Sequence, residues 1–254
     1  MGGGFLGAAT LSAAVRFHDV TLGYDRHPAV HHLSGELAKG SLTALVGPNG
    51  GGKSTLLKGI IGALEPLDGR IELGAESIAY LPQIAEIDTG FPITVFDLVS
   101  SGLWKSTGLF GGVGKADTAR VARALARLGL SGFENRAIGT LSGGQMQRAL
   151  FARLLLQDAE LILLDEPFAA IDENTVKDLV EIIGQWRDET RTVVAVLHDT
   201  ALVKEHFSHA LMLAREPVSW GKTADVLTAD NLAEARRMIQ APDPNADVCT
   251  MDMA

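Results

Sequence analysis

The most constraining feature of the chain is a glycine-rich loop that joins two apolar runs. The first run, Leu42 to Val46, is typical of a buried strand, and the second, Leu56 to Ile61, is typical of a helix. The loop between them reads Gly47-Pro48-Asn49-Gly50-Gly51-Gly52-Lys53-Ser54-Thr55. This spacing fits G-x-x-x-x-G-K-[ST], in which backbone N–H groups and the helix N-terminus surround phosphate oxygens. We therefore expect Lys53 to reach the outer phosphates of a nucleotide and Ser54 to hold Mg²⁺.

Length, charge and cysteine content limit the kind of protein. The chain has 254 residues, 46% of them hydrophobic, which is enough for one large domain with a well-buried core. Its formal net charge of −9 argues against a nucleic-acid partner, because phosphate backbones are bound mainly by Lys and Arg. No apolar run approaches the roughly 20 residues that cross a bilayer, so a role at a membrane requires a partner. The single cysteine, Cys249, excludes an internal disulfide and is consistent with a reducing compartment.

The first part of the chain predicts a small antiparallel sheet beside the glycine-rich loop. Residues 1–13 are apolar but lack the positive charge of a signal peptide, and we expect a disordered leader there. Residues 14–24 and 30–37 carry apolar side chains in a β-type pattern, with Tyr24 closing the first strand. Further strands are predicted over residues 70–73 and 77–81.

The sequence pattern changes between residues 85 and 143, where glycine-rich loops alternate with short helical segments. A helix is predicted over residues 116–128, because apolar side chains that include Val121 and Leu125 share one helical face. Arginines on the opposite face favour a solvated surface over an anionic partner. We interpret residues 85–143 as a helical subdomain inserted into a domain that spans residues 14–240.

The second half of the chain alternates apolar strands with helices, an order that predicts a parallel sheet. One buried strand, residues 161–164, ends in the adjacent carboxylates Asp165 and Glu166, and the next strand ends at His198. Ligands of such sheets collect at the carboxyl ends of the strands. We therefore expect Lys53 and these three side chains to meet at one edge of the sheet.

Three helices, one strand and the tail complete the predictions. The sequence Leu141-Ser142-Gly143-Gly144-Gln145, called the signature segment below, opens a helix that Ser142 caps and that offers its first amides to an anion. A helix over residues 172–188 is expected to bury Val176, Leu179, Val180, Ile183 and Trp186. The remaining predictions are an accessory strand at residues 211–213, a terminal helix at residues 231–239 and a flexible tail at residues 241–254.

Five motifs stand in a fixed order: Tyr24, the glycine-rich loop, Gln83, the signature segment, and Leu164-Asp165-Glu166-Pro167 with His198 behind it. Together they resemble the nucleotide-binding subunit of ATP-binding-cassette (ABC) transporters over residues 14–239, and Leu-Ser-Gly-Gly-Gln is peculiar to that superfamily. The resemblance implies an α/β fold: a RecA-like P-loop NTPase core with a mainly parallel sheet, an antiparallel β subdomain and a helical insertion. It also implies a head-to-tail homodimer that holds ATP and Mg²⁺ between two subunits. One subunit contributes the glycine-rich loop, called the phosphate loop below, and the other contributes its signature segment.

Transferred position by position, the resemblance implies roles within one subunit. Glu166 would be the general base that orients and deprotonates the attacking water. His198 would contact the γ-phosphate and hold Glu166 in position. Asp165 would support the metal ion, and Gln83 would touch both Mg²⁺ and the transport partner. With Lys53, the residues Gln83, Glu166 and His198 form the implied catalytic set.

The resemblance also implies contacts at the adenine and between subunits. Tyr24 would stack on adenine, and the residues Ser142, Gly143, Gly144 and Gln145 would complete the ATP site in trans. Asp172 would be an aspartate of the dimer interface. The chain departs from the usual pattern at Ile171, where leucine is common, and at Gly51, where alanine or serine is common. Neither departure is expected to disturb the chemistry.

The segment from Asp88 to Val99 resembles the corresponding part of zinc and manganese importers. Siderophore and cobalamin importers usually continue with Gly-Arg and a proline, whereas this chain has Gly102-Leu103-Trp104. The resemblance therefore favours import of zinc, or else manganese. Implied partners are integral-membrane permease subunits and, indirectly, an extracytoplasmic substrate-binding protein, with this chain peripheral on the cytoplasmic face of the membrane.

Two alternatives remain open from the sequence. The chain would also suit an importer of siderophores, cobalamin or amino acids, because this subunit does not touch the transported molecule. A different class is a soluble ABC ATPase that acts outside transport, in DNA repair, translation or cluster assembly. Roughly 90 residues separate the phosphate loop from the signature segment, which leaves no room for a long coiled coil. Translation factors of the superfamily carry two cassettes, and one is present here.

Overall fold

A computed structural model describes residues 13–25, 27–108, 112–169 and 171–240. Apart from Ala13, the leader predicted for residues 1–13 lies outside the described residues. The tail predicted for residues 241–254, with Cys249, also lies outside them.

The described residues form strands and helices in an alternating order. The strands are β1 (Ala13–Tyr24), β2 (His27–Ala38), β3 (Leu42–Val46), β4 (Asp68–Leu73), β5 (Ile78–Leu81), β6 (Leu161–Asp165), β7 (Thr192–Val196), β8 (His209–Ala214) and β9 (Glu216–Lys222). The α-helices are α1 (Lys53–Ile60), α2 (Val95–Ser100), α3 (Trp104–Thr107), α4 (Lys115–Arg127), α5 (Gly143–Gln157), α6 (Glu173–Asp188), α7 (Thr200–His206), α8 (Thr223–Val226) and α9 (Ala229–Gln240). Short 3₁₀ turns span Ile84–Glu86, Ser101–Leu103 and Ile138–Thr140.

Two sheets organise these elements. The smaller is antiparallel, in the order β2-β1-β4, and the larger has six strands in the order β5-β6-β7-β3-β8-β9. In the larger sheet every neighbouring pair is parallel except β8 with β9. This confirms the predicted α/β fold with a mainly parallel sheet and a separate antiparallel sheet. The successive strands β4 and β5 belong to different sheets.

One strand prediction was wrong in its place in the fold. Residues 211–213, expected as an accessory strand, belong to β8, which pairs in parallel with β3 inside the main sheet. Leu211 faces one buried layer and Met212 the other, so β8 is covered on both sides. A strand buried on both faces has no exposed side to distinguish it in the sequence, and three apolar residues were too few to show its position.

Alternation along the central strands divides the interior into two layers. Leu45 of β3 joins one cluster with β1, β2 and α1, whereas its neighbours Ala44 and Val46 join a second cluster with α5 and α6. Successive side chains of a strand point to opposite faces, so both faces of this sheet are covered. Helix α1 is consequently fixed between the two sheets, and the loop that precedes it is held from both sides.

Helix α6 buries a slightly different face from the one predicted. Three of the five expected residues are buried: Leu179, Ile183 and Trp186. Val176 and Val180 are only half-buried, and Ile182 is buried in addition. The helix is turned toward α5, where the rings of Trp186 and Phe151 stack with centroids 6.1 Å apart. The two valines instead line a cavity beside α7.

Helices α2 and α4 pack on the helix that the signature segment opens. Val121 and Leu125 of α4 are buried as predicted, and arginines lie on its outer side. Both α2 and α4 contact α5. Because β6 follows α5 in the chain, this helix connects α2 and α4 to the main sheet.

Candidate functional site

The parallel strands end at a common edge, which brings separate parts of the sequence together. In the observed register Leu81 pairs with Leu164, and Val196 pairs with both Asp165 and Leu45. The residues that follow these positions therefore emerge at the same edge. They are Gln83, Glu166, His198 and the phosphate loop, residues 47–55. The sequence predicted this edge for Lys53, Asp165, Glu166 and His198, and Gln83 lies there in addition.

Two glycines of the phosphate loop have steric reasons to be glycine. Gly47 has φ 140°, and a Cβ there would lie 2.0 Å from the carbonyl oxygen of Leu213. Gly52 has φ 88°, and a Cβ there would lie 2.3 Å from the carbonyl oxygen of Ala29. Both positions combine positive φ with close backbone contact, which side chains do not tolerate. The loop is thus pressed between β8 and β2.

Lys53 closes the curve of the phosphate loop. Its Nζ donates hydrogen bonds to the carbonyl oxygens of Gly47, at 2.9 Å, and Pro48, at 2.8 Å. Burial lowers the pKa of Lys53, and the charges of Glu166 and Asp165 oppose that shift. A buried ammonium group beside backbone N–H donors suits phosphate oxygens, which can replace the two carbonyls as acceptors.

Asp165 is a fully buried carboxylate at the end of β6. Its Oδ1 accepts a hydrogen bond from Ser54 Oγ at 3.1 Å, and Tyr80 Oη lies 3.5 Å from its Oδ2. Burial raises the pKa of Asp165, and the Ser54 hydrogen bond acts in the opposite direction. Burial raises the pKa of Tyr80, and the nearby charge of Asp165 raises it further.

The donor set around Asp165 fits a hard divalent cation. Ser54 and Asp165 offer oxygen atoms. Gln83, which has an amide oxygen, lies two residues after the end of β5, the strand that pairs with β6. Oxygen ligands with few carboxylates are what Mg²⁺ prefers when substrate phosphates complete its coordination. A cation here would also offset the cost of burying the Asp165 charge.

The pKa of Asp165 leads to a test of stability. Because the folded-state pKa lies above the unfolded value, this group stabilises the fold below its unfolded pKa, and the contribution is lost as the pH rises through the folded pKa. Asp165→Asn is therefore expected to raise the Tm of the nucleotide-free protein in EDTA at pH 7, and to change it less near pH 4, close to the ordinary Asp pKa. Scanning calorimetry at the two pH values measures this. A lower Tm at pH 7 would contradict the assignment.

Glu166 and His198 form a pair beside the phosphate loop. His198 Nε2 and Glu166 Oε1 are 2.9 Å apart, and the Glu166 side chain remains 29% exposed. Glu166 has φ 49°, a left-handed conformation that a non-glycine residue adopts at an energetic cost. Glu166 is thus partly exposed, whereas the adjacent Asp165 is fully buried.

Sequence reasoning missed two hydrogen-bond donors that support this edge. Gln147 of α5 is buried and donates from Nε2 to the carbonyl oxygen of Pro167 at 2.7 Å, directly after Glu166. Arg153 of α5 donates from Nη2 to the carbonyl oxygen of Tyr80 at 2.8 Å. Polar residues within the mostly apolar run of α5 were the available indication. Their partners are 20 and 73 residues away, which local patterns do not reveal.

Tyr24 lies at the outer end of β1, paired with His27 across the hairpin. Tyr24 is 49% exposed. The half-exposed ring is therefore accessible to a ligand.

The signature segment is not brought to the phosphate loop within one chain. Ser142 caps α5: its Oγ accepts from the Gln145 backbone N–H at 3.3 Å, and its own N–H donates to Gln145 Oε1 at 3.0 Å. Ser142 and Gly143 are exposed, and Gly144 lies near Ile171. The hydrogen bonds of these residues, in the described part of the chain, stay within α5 and its cap.

Asp172 has a structural role that the sequence did not predict for it. It is the N-cap of α6, where its carboxylate accepts from the Thr175 backbone N–H at 3.0 Å and from Thr175 Oγ1 at 2.7 Å. The Thr175 hydroxyl, followed by its N–H, lowers the pKa of Asp172. Asp172 is exposed, so it remains accessible to a second subunit.

Comparison with known proteins gives a consistent family. The family model described as ABC transporter matches residues 30–169. A probable metal transport system ATP-binding protein of Chlamydia pneumoniae is 39% identical, covering 85% of this chain and 86% of its own length. A manganese transport system ATP-binding protein of Synechocystis sp. is 38% identical over 89% and 91% of the two chains. A zinc transport system ATP-binding protein of Treponema pallidum is 35% identical over 87% and 86%.

Solved structures of ABC proteins superpose on most of this chain. An inward-facing metal-chelate type ABC transporter superposes with a TM-score of 0.78 at 30% identity, covering 89% of each chain. An ATP-binding cassette in its ADP conformation superposes with a TM-score of 0.71 at 21% identity, covering 89% and 98% of the chains, and supports the fold alone. The chain therefore belongs to the ABC transporter family, as one of its ATP-hydrolysing ATP-binding subunits.

Proposed function

We propose that this subunit hydrolyses ATP to drive the import of a divalent metal ion, zinc or manganese, through a membrane permease. The Glu166–His198 pair beside the phosphate loop carries the proposal for the chemistry. The names of relatives that cover most of the chain support the metal: four manganese systems at 35–38% identity and one zinc system at 35%. We propose residues 14–240 as the ATPase domain, with residues 85–143 as its helical insertion.

The chemistry follows from where the side chains lie. Lys53 and the loop N–H groups bind the β- and γ-phosphates and hold the γ-phosphorus in line with an attacking water. Glu166 accepts a hydrogen bond from that water and takes its proton as the bond to phosphorus forms and the bond to the ADP oxygen breaks. His198, whose Nε2 lies 2.9 Å from Glu166 Oε1, holds the carboxylate in position and contacts the γ-phosphate.

Mg²⁺ would be held by Ser54 and Gln83, with Asp165 supporting it, and would neutralise charge on the β- and γ-phosphate oxygens. Ser54 supplies the hydroxyl oxygen from the first turn of α1, and Asp165 holds that hydroxyl in place through the 3.1 Å hydrogen bond. Gln83 supplies an amide oxygen from the end of the neighbouring strand. These three residues come from three separate segments, so the metal side of the site depends on how those segments are positioned.

The complete site requires a second subunit. The exposed amides at the start of α5 lie apart from the phosphate loop in one chain, and an exposed helix N-terminus suits an anion. We propose a head-to-tail homodimer in which residues 142–145 of each subunit close on the γ-phosphate held by the other, with Asp172 at the interface. Each ATP is then buried between two chains.

The permease is proposed to dock on the segment that follows Gln83. Phe91 in this segment is 58% exposed, and Gln83 connects the segment to the metal side of the nucleotide site. Among the described helices, none combines the length and apolar character needed to span a bilayer. The proposed location is the cytoplasmic face of the membrane, held there by the permease, with the extracytoplasmic binding protein acting through the permease.

Tyr24 gives a test of nucleotide binding. Tyr24→Ala is expected to weaken ATP binding by about 1–2 kcal/mol, because the ring would no longer stack on adenine. Tyr24→Phe keeps the ring and is expected to bind ATP nearly as tightly as the wild type. Isothermal titration calorimetry of the two variants measures the difference. Equal affinity of the wild type and Tyr24→Ala would remove Tyr24 from the adenine site.

The transported ion is identified by reconstitution. The complex of this subunit with its permease is placed in liposomes, and ATPase activity is measured with the binding protein loaded with Mn²⁺, Zn²⁺, a ferric siderophore or an amino acid. The proposal predicts stimulation by Mn²⁺ or Zn²⁺ and by neither of the other two. Stimulation by the siderophore alone would favour the second candidate, a chelate importer, which the metal-chelate type structural relative supports.

A further inference from the structure

One ion pair joins the helix of the phosphate loop to the segment that carries Gln83. Lys58 Nζ of α1 lies 2.7 Å from Glu86 Oε1, in the 3₁₀ turn Ile84–Glu86. The hydrogen bond to Glu86 is the main cause that raises the pKa of Lys58. Neither side chain has a part in the chemistry described above, and 28 residues separate them in the sequence.

The pair lies on the same side of α1 as the metal-binding hydroxyl. Ser54 and Lys58 are four residues apart in α1 and therefore share one face of the helix. Ser54 on this face contacts Asp165, and Lys58 contacts Glu86 one turn further along. The face thus binds both the end of β6 and the segment after β5.

Glu86 is closely coupled to Gln83. The Glu86 backbone N–H donates to the carbonyl oxygen of Gln83 at 3.0 Å, which closes the turn between them. A force that holds the Glu86 side chain against α1 therefore also fixes the backbone at Gln83. Gln83 begins this turn and lies beyond the end of β5, where regular strand pairing no longer holds it.

We propose that the Lys58–Glu86 ion pair is the positioning contact that sets Gln83 at the metal side of the phosphate loop. The inference rests on the role proposed for Gln83 at Mg²⁺. The Lys58 and Glu86 side chains are 29% and 36% exposed, and pairs this accessible contribute little to the stability of a fold. Loss of the pair is therefore expected to displace the turn without unfolding the protein.

The test uses charge reversal in the isolated full-length subunit. Lys58→Glu and Glu86→Lys each place like charges together, and the double variant restores an ion pair of opposite polarity. Glu189→Lys is the control charge reversal, because Glu189 pairs with Arg191 at 2.8 Å elsewhere on the surface. Each variant is first checked by scanning calorimetry, where a Tm within about 4 °C of the wild type is expected for an exposed pair.

Two readouts are measured, amide hydrogen exchange of residues 83–93 and the Mg²⁺ concentration that gives half-maximal ATPase activity. Each single reversal is expected to speed exchange in this segment and to raise the half-saturating Mg²⁺ concentration by about tenfold, since misplacing a metal ligand weakens metal binding on this scale. The double reversal should return both values toward the wild type, and Glu189→Lys should change neither.

Unchanged exchange, an unchanged Mg²⁺ requirement, or a double variant no better than the single ones would each overturn the inference. Faster exchange with an unchanged Mg²⁺ requirement would also overturn it, because the turn would then move without affecting the metal. These measurements need no permease and no transported ion. Failure of metal ions to stimulate the reconstituted transporter would refute the proposed substrate and would leave these results unaltered.

Discussion

Glu166→Gln is expected to lower the rate of ATP hydrolysis by about 10²- to 10⁴-fold, the range over which a general base contributes. The amide keeps the size of the carboxylate and can still hydrogen-bond to His198, which lies 2.9 Å from Oε1 in the wild type. It cannot take a proton from water. ATP binding should be retained, because Lys53 and the loop N–H groups are unchanged, and the variant should accumulate as an ATP-bound dimer.

The measurements for Glu166→Gln are phosphate release, ATP titration and size-exclusion chromatography with and without ATP. The control is Glu173→Gln, which removes an exposed carboxylate from the first turn of α6. It should hydrolyse ATP at close to the wild-type rate. Hydrolysis by Glu166→Gln near the wild-type rate would remove Glu166 from its role as base.

Ser142→Asp is expected to reduce hydrolysis by about 10²- to 10³-fold, the scale seen when one transition-state donor is lost. Aspartate is as good an N-cap as serine, so the start of α5 should stay intact and the Tm should change little. The added negative charge would face the γ-phosphate of the ATP bound to the other subunit. Because the phosphate loop of the mutated chain is untouched, ATP affinity of the monomer should equal that of the wild type.

Ser142→Asn is the matched variant for this prediction. It keeps both the cap and the neutral charge, and it should retain much more activity than Ser142→Asp. Phosphate release and monomer ATP affinity are measured for both. Weaker ATP binding by monomeric Ser142→Asp would place Ser142 in the same chain's site and contradict the proposed arrangement.

Local sequence patterns were sufficient for the parts of the fold that local physics determines. The glycine-rich loop was recognisable because Gly47 and Gly52 need positive φ and close backbone approach. The cap of α5 was recognisable because Ser142 and Gln145 satisfy each other's backbone groups across one helical turn. The edge where Asp165 and Glu166 lie followed from the rule that parallel strands place their carboxyl ends together.

The features that the sequence did not reveal depend on contacts between distant segments. The position of β8 beside β3 is set by sheet pairing, and three apolar residues do not specify a partner strand. The Lys58–Glu86 pair and the Tyr80 hydroxyl near Asp165 join residues 28 and 85 positions apart. The prediction of the buried face of α6 was partly wrong, because Val176 and Val180 border a cavity of about 730 Å³ instead of the core.

The central claim is that each chain carries two halves of different ATP sites. Glu166→Gln and Ser142→Asp chains, mixed free of nucleotide before ATP is added, test it, because each variant alone is expected to hydrolyse ATP at least about a hundredfold more slowly than the wild type. In a mixed head-to-tail dimer, one site contains both changes, and the other combines an intact phosphate loop with an intact signature segment. Equal mixing should restore about a quarter of the wild-type ATPase activity, because half of the dimers are mixed and each has one working site. A mixture that stays as inactive as its two components would contradict the account.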